Sequence, residues 1–165
     1  MKKTFITTLM ALTAWVMLLG CATAEERAAR AAEQAKAVKT ALQERKYEIA
    51  VSRMYPPRGS SKSLSYGYSV VVRNDSLISY LPYFGRAYDV PYGGGKGLNF
   101  SAPISNYKES QPKSDKRHIE IDVKNDEDIF LYTLDIFDNG NTTIDVQSRQ
   151  RERITFSGEM EFKQR

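Results

Sequence analysis

The chain has 165 residues, of which 41% are hydrophobic and 27% charged, and its formal net charge is +4. This composition supports one domain with a core that needs no disulfide or metal to hold it together. Cys21 is the only cysteine, which excludes an internal disulfide, a multi-thiolate zinc site and an iron–sulfur cluster. Charges of both signs are interspersed without a basic stripe, so the composition argues against a partner that is a nucleic acid.

The N-terminus has the pattern of a bacterial lipoprotein signal. Lys2 and Lys3 precede a short apolar run that ends in the Leu-Leu-Gly-Cys sequence at 18–21. The run is shorter than the about 20 apolar residues of a membrane-spanning helix, and it has the proportions of a signal peptide. We therefore predict a signal peptide over residues 1–20 and lipid attachment to the thiol of Cys21. The alternative is an ordinary secretory signal in which this cysteine is incidental.

Lipidation would hold the protein on a bilayer in the cell envelope. Lipoproteins of this type resemble one another in carrying three acyl chains on the N-terminal cysteine, and several chains anchor a protein nearly permanently. Ala22 stands where diderm bacteria usually place an aspartate to retain a lipoprotein in the inner membrane, so we expect the outer membrane, with its face left open. Removal of residues 1–20 leaves 145 residues with a net charge of +2.

A helix is predicted at the start of the mature chain. Residues 24–46 are rich in alanine and mixed charge, and they contain neither glycine nor proline. The small and apolar residues that recur there at helical spacing are Ala28, Ala31, Ala35, Val38 and Leu42. This pattern predicts a helix over 25–45 that docks firmly only around 38–42. We divide the mature chain into a tether with the start of the helix (21–36) and a single α+β domain (37–165).

From Tyr47 onward the apolar period changes to two, which predicts strands. An irregular stretch from Leu81 to Pro103 interrupts the strands, and Asn139-Gly140 predicts a type I′ hairpin turn with positive φ at both residues. Short strands without interleaved helices predict an antiparallel meander. We expect a mostly β fold of the α+β class, in which the N-terminal helix packs on one curved antiparallel sheet. The predicted strands are 47–53, 66–72, 76–80, 104–107, 118–123, 129–137, 142–146 and 154–162.

The segment from Tyr80 to Phe100 is unusual for a loop. It contains four tyrosines, two phenylalanines, one arginine and five glycines, whereas loops usually stay polar. The string Tyr-Leu-Pro-Tyr-Phe-Gly-Arg-Ala-Tyr at 80–88 and the Gly-Leu-Asn-Phe at 97–100 resemble the signature of the domain of unknown function 4251 family, small lipoproteins of diderm bacteria. Residues 66–72 support the resemblance, which covers the mature domain from near Lys39 to the last strand. It implies a localisation and a fold, but no activity, substrate or cofactor.

Two interpretations of this segment stay open. In the first, Tyr80, Phe84 and Tyr88 cap one end of the sheet, and Arg86 bonds carbonyls or stacks on a ring. In the second, the aromatic rings and Arg86 line a cleft that grips a carboxylate or phosphate of a protein or small-molecule partner. The Gly-Gly-Gly-Lys-Gly sequence at 93–97 would then form a mobile lid or an anion nest. The candidate binding residues share aromatic or cationic character: Tyr80, Tyr83, Phe84, Arg86, Tyr88, Tyr92 and Lys96.

No catalytic constellation is visible in the sequence. His118, the sole histidine, shares a strand face with Glu120 and Asp122, as on a solvated face, and no nucleophile elbow accompanies it. The acidic turn at 126–128 lacks the ligand spacing of a calcium loop. We therefore predict no catalytic residues, no metal and no cofactor, and expect a non-enzymatic binding module. The alternatives are a carrier or chaperone for an apolar ligand in a sheet cavity, and a hydrolase that uses His118.

Overall fold

A computed structural model describes residues 24–88 and 97–162 of the chain. The predicted signal peptide, Cys21, Tyr92 and Lys96 lie outside these described residues. The chain divides into two compact units, Met1–Glu33 and Gln34–Arg165. Within the described ranges, no helical segment combines the length and the hydropathy of a membrane span.

Helix α1 (Ala24–Gln43) runs through both units. In the first unit its residues 24–33 are all exposed. In the second unit Val38 and Leu42 are buried in the core, which confirms the predicted docking of the helix around 38–42. The helix stops two residues before its predicted end because Arg45 adopts the left-handed conformation, with a φ of 50°, that commonly ends helices.

Nine strands follow the helix, and every pairing between them is antiparallel. Their lengths range from the two residues of β2 to the sixteen of β5. The strands are β1 (Lys46–Tyr55), β2 (Lys62–Ser63), β3 (Ser69–Arg73), β4 (Ser76–Leu81), β5 (Leu98–Lys113), β6 (Lys116–Lys124), β7 (Ile129–Phe137), β8 (Asn141–Ser148) and β9 (Ile154–Glu161).

The sheet closes on itself. Its strand order is β2-β1-β3-β4-β5-β6-β7-β8-β9, and β1 also pairs with β9. Eight strands therefore form a barrel, while the short β2 pairs only with the last residues of β1. The predicted mostly β antiparallel fold with an N-terminal helix is confirmed at this level. The predicted curved sheet is compatible with this barrel, and its closure is the feature not predicted: pairing of β1 with β9 removes both exposed edges.

Strand β5 corrects the largest error in the predicted elements. It begins at Leu98, inside the stretch predicted to be irregular, and Leu98 pairs with Leu81 of β4. Phe100 and Ala102 continue the inward alternation and are buried. Pro103 hid this strand from the sequence, because proline is usually confined to edges. Here β4 ends its pairing at Pro103, so the missing N–H costs little.

The hairpin between β7 and β8 forms as predicted, but its turn is of another type. Only Gly140 has a positive φ, 82°, and the Gly140 N–H donates to the Phe137 carbonyl at 2.8 Å. Asn139 stays outside the positive-φ region, and its side chain accepts a hydrogen bond from the Asn141 N–H at 3.0 Å. This is the three-residue loop with a left-handed glycine, not the two-residue type I′ turn.

Side chains fill the interior of the barrel. Each strand directs alternate residues inward, and aliphatic residues of near-zero exposure occupy most of these positions. Phe100 stacks on Phe130, with ring centroids 4.8 Å apart. The buried Tyr132 hydroxyl donates to Ser79 Oγ at 2.9 Å, and burial raises the pKa of this phenol well above its usual range. An eight-stranded barrel is just wide enough for side chains to fill, so this interior is a core and does not favour the apolar-ligand carrier.

The antiparallel order gives the barrel two distinct ends. Strand β1 starts beside α1, so the tight turns at 74–75, 114–115 and 138–140 lie at what we call the helix end. There Gln34 Nε2 donates to the Asn139 carbonyl at 2.7 Å. The opposite end, which we call the loop end, carries the longer connection 56–68, the residues 82–88 that follow β4, and the turns 125–128 and 149–153.

One glycine allows the closing seam between β1 and β9. A Cβ atom on Gly158 would lie 2.1 Å from the carbonyl oxygen of Ala50. The two strands meet there at a register shift between Val51 and Arg53. The backbones therefore approach more closely at this point than any side chain permits.

We expect Gly158→Ala to destabilise the fold, because the new methyl group meets backbone that cannot rotate away. Overpacking of this kind costs about 1–3 kcal/mol, and more where the neighbour is rigid. Urea unfolding followed by circular dichroism measures the loss. Ser157→Ala on the same strand is the control and should change the free energy of unfolding by less than about 0.5 kcal/mol. Equal stability of the two variants would contradict this account of the seam.

Candidate functional site

The residues after β4 cross the loop end of the barrel. The Tyr88 N–H donates to the Gln150 carbonyl at 2.7 Å, and the Glu152 N–H donates to the Arg86 carbonyl at 3.0 Å. An isolated β-bridge joins Ala87 to Arg151 between them. Since β4 is not a sheet neighbour of β8 or β9, the segment 82–88 spans the barrel mouth. We call it the crossing segment.

Tyr83 is the residue that closes the loop end. Its ring is partly buried against the core. Its hydroxyl donates to the Arg86 carbonyl at 2.8 Å and also lies within hydrogen-bond distance, 3.1 Å, of the Glu152 carbonyl. Burial and then the nearby Glu152 carboxylate raise the pKa of the Tyr83 phenol, so the donor keeps its proton. A Cβ on Gly85 would lie 2.5 Å from this hydroxyl, which explains the glycine.

A buried arginine lies beneath the crossing segment. Arg151 is only 7% exposed, and its guanidinium carbon is 5.5 Å from the centroid of the Tyr83 ring. Its Nη2 is 3.7 Å from a carboxylate oxygen of Glu127. The first interpretation assigned the stacking role to Arg86, but Arg151 fills it. No pattern in the sequence distinguished Arg151 from an ordinary turn residue.

Three aromatic side chains of the signature point away from the core. Tyr80 is 54% exposed, Phe84 49% and Tyr88 70%, so the expectation that these three cap the sheet is wrong. Arg86 is also exposed, and it contributes its backbone, not its guanidinium, to the bonds that hold the segment. Alternation along the crossing segment buries Tyr83 and turns its neighbours outward.

A groove of about 220 Å³ opens beside the crossing segment. Glu152 lies at its base and accepts from Arg58 Nη2 and from the Arg86 backbone N–H, both at 3.1 Å. Lys62 Nζ lies 4.2 Å from the centroid of the Phe84 ring. Neither Lys62 nor the Arg86 guanidinium has a carboxylate partner within the described ranges. The lining residues are Pro56, Pro57, Arg58, Lys62, Phe84, Gly85, Arg86 and Glu152.

Two larger grooves, of about 350 and 470 Å³, run along the outer surface of β1. Both include Glu48 and Glu161, which face each other across the β1–β9 seam. Neither groove contains the signature residues, and their adjacent carboxylates would repel an anion. The smaller groove at the loop end is therefore the candidate site, because Arg58, Lys62 and Arg86 meet the exposed ring of Phe84 there.

Five of the eight residues that line this groove were missed by sequence reasoning. Pro56, Arg58 and Lys62 come from the connection around β2, which reads only as a polar loop. Glu152 comes from the turn before β9. Tertiary closure of the barrel brings these residues beside Phe84, and no local pattern signals it. Of the predicted site residues, the structure places Phe84 and Arg86 in this groove.

His118 belongs to an ion-pair row on the outer face of the sheet. Its Nδ1 is 2.7 Å from Asp135 Oδ1, and Lys116 Nζ is 3.0 Å from the other oxygen. Burial would raise the pKa of Asp135, but hydrogen bonds from His118 and Lys116 outweigh it and lower that pKa. The Ser110 hydroxyl donates to the His118 carbonyl at 3.4 Å, not to its ring. This geometry is not that of a catalytic triad.

Glu120 and Asp122 do not converge with His118 on a common point. Glu120 lies 3.6 Å from His118 Nε2, while Asp122 accepts a hydrogen bond from the Asn106 side chain at 3.0 Å. In the part of the chain that the structure describes, no three potential ligands from histidine, cysteine, aspartate or glutamate are grouped to hold a metal ion.

We expect Tyr83→Phe to loosen the crossing segment without unfolding the barrel. Loss of the hydroxyl removes its bond to the Arg86 carbonyl and costs about 1 kcal/mol. Hydrogen exchange should show faster exchange at the amides of Tyr88 and Glu152, whose bonds hold the segment across the mouth. Tyr80→Phe, which removes an exposed hydroxyl, serves as the matched control. Unchanged protection in Tyr83→Phe would show that this hydroxyl does not hold the segment.

Comparison with known proteins agrees with this architecture. The family model described as Domain of unknown function (DUF4251) matches residues 29–160. The crystal structure of a DUF4251 family protein from Bacteroides eggerthii DSM 20697 is similar in fold, with a TM-score of 0.56 and 15% identity over 77% of this chain and 86% of that chain. No curated protein matches the chain. The chain belongs to the DUF4251 family.

Proposed function

We propose that this protein is a lipid-anchored lipoprotein of the cell envelope that acts as a non-enzymatic binding module through its loop end. Two features of the molecule support this proposal. The N-terminal sequence has the form of a lipoprotein signal with Cys21 at its end. The barrel interior is filled by side chains, so a ligand or partner must bind outside the barrel.

The observation that carries the proposal is the distribution of exposed aromatic residues. Six large hydrophobic side chains are exposed within the described ranges, and five of them lie at the loop end. The sixth, Phe162, lies close to Gly140 at the helix end. Such a concentration of exposed apolar residues at one end of a domain favours a binding surface there. The five at the loop end are Tyr55, Tyr66, Tyr80, Phe84 and Tyr88.

The proposed partners follow from the lipid anchor at the N-terminus and from the exposed rings at the loop end. Acyl chains on Cys21 would insert into a bilayer, with the outer membrane favoured by Ala22. The loop end would meet an unknown protein or small molecule through the groove beside Phe84 and Arg86. The proposal needs no catalytic residue, metal or cofactor.

The anchor is tested by Cys21→Ser in the full chain expressed in its diderm host. We expect the wild-type protein in the membrane fraction with acyl chains on its N-terminal cysteine, and the variant without them and released from membranes. Mass spectrometry and fractionation measure the two properties. Ala22→Ser is the control and should stay acylated. Wild-type protein with an unmodified N-terminus would refute the anchor.

The binding surface is tested by the double variant Phe84→Ala/Tyr88→Ala. Purified full-length protein in detergent is mixed with envelopes isolated from cells that lack it. We expect the double variant to be retained at least about tenfold less than wild type, since buried aromatic anchors dominate binding energies. Phe162→Ala, at the helix end, should bind as wild type does. Equal retention of all three proteins would exclude the loop end as the binding surface.

A further inference from the structure

We infer that the groove at the loop end and the tyrosines around it bind an acidic carbohydrate, a polysaccharide whose sugar rings carry carboxylates. This inference rests on the proposed binding function and gives it a chemical class of ligand. Three properties of the surface support it: its free charge, the kind of side chain exposed, and the size of the groove.

The free charge of the groove is positive. Among the described residues that line the groove, Glu152 is the only one with a carboxylate, and it already accepts hydrogen bonds from Arg58 and from the Arg86 backbone. Lys62 and the Arg86 guanidinium remain without a carboxylate partner in the described ranges. The Arg86 guanidinium and the Lys62 ammonium, which both line the groove, would attract an anionic group of the ligand. The guanidinium can bind a carboxylate through two parallel hydrogen bonds.

The exposed side chains favour sugars over lipid. Every large hydrophobic side chain exposed among the described residues is a tyrosine or phenylalanine, with no leucine, isoleucine or methionine. A surface that enters acyl chains would expose aliphatic residues too. Tyrosine combines an apolar ring with a hydroxyl, and a sugar likewise combines C–H faces with hydroxyl groups. Tyr66 and Tyr88, fully and 70% exposed, offer both kinds of contact.

The size and walls of the groove favour one sugar ring at a time. The volume of about 220 Å³ is below the usual 300–1,000 Å³ of pockets that enclose drug-sized ligands. Pro56 and Pro57 line the groove together with Phe84, and proline fixes its backbone torsion. Exposed Tyr55 and Tyr88 lie at the same end of the barrel, so neighbouring units of a polymer would have further rings to contact.

The test uses the full-length chain in detergent with three immobilised polysaccharides. Polygalacturonate and hyaluronate carry carboxylates, and dextran is neutral. We expect binding to at least one acidic polymer, none to dextran, and weakening as the salt concentration rises. Phe84→Ala, Lys62→Ala and Arg86→Ala should each weaken binding about tenfold, because each removes a contact to the sugar ring or its charge.

Matched variants at the helix end control for general effects of charge and hydrophobicity. Phe162→Ala, Lys113→Ala and Arg73→Ala replace the same residue types at exposed positions distant from the groove. They should bind as wild type does. Phe84→Tyr keeps the ring and should retain binding, which guards against a misfolded Phe84→Ala, and thermal melting confirms that each variant is folded.

The inference is overturned if neither acidic polymer binds, if dextran binds equally well, or if the helix-end variants lose as much affinity as the groove variants. Phe84-dependent binding to phosphatidylglycerol vesicles with no binding to either polymer would assign the surface to a membrane instead. If envelopes still retain the protein through Phe84 and Tyr88 while both polymers fail, the binding module stands and its carbohydrate ligand does not.

Discussion

The pairing of β1 with β9 is the constraint on which the rest of the structure depends. It closes the sheet, and closure at this seam is possible because Gly158 has no side chain to meet the Ala50 carbonyl. Once closed, eight strands leave room only for their own inward side chains. The interior is therefore a packed core that stabilises the fold and leaves no space for a ligand. Any binding chemistry has to reside on the ends or the outer face of the barrel.

The crossing segment shows how one short sequence serves both stability and exposure. Tyr83 turns inward and closes the barrel, and Gly85 makes room for its hydroxyl. Phe84 lies between these two residues in the chain and Arg86 follows them, and both side chains are exposed. The capping role that the first interpretation gave to Tyr80, Phe84 and Tyr88 is thus taken by Tyr83, while the binding role of the second interpretation stays a prediction. Because the inward contacts fix the backbone, the outward side chains are presented by a rigid support, which lowers the entropy lost on binding.

The sequence predicted local structure better than the arrangement of distant residues. Alternation identified most strands, and the two apolar residues Val38 and Leu42 marked the docked part of the helix. The first six residues of β5, 98–103, were missed because Pro103 and the glycine-rich sequence before Leu98 obscure the inward positions. Closure of the barrel could not be predicted from the sequence, because a strand shows the same alternation whether the strand that it pairs with is near or far in the chain.

The candidate site was predicted only as far as it is contiguous in sequence. Phe84 and Arg86 were identified by composition, whereas Arg58, Lys62 and Glu152 arrive through pairing of β1 with β2 and β9. No one-dimensional pattern encodes that meeting.

Glu152 links the groove to the crossing segment and determines which cationic side chains of the groove can bind a ligand. Its backbone N–H donates to the Arg86 carbonyl, and its carbonyl accepts a hydrogen bond from the Tyr83 hydroxyl. Its carboxylate accepts a further hydrogen bond from the Arg86 N–H. Glu152 is therefore fixed in place. Arg58, by contrast, is 64% exposed, and an ion pair of that exposure contributes only about 0–1 kcal/mol. Arg58 can therefore turn from Glu152 to an incoming carboxylate at little cost, while the support of the crossing segment stays intact.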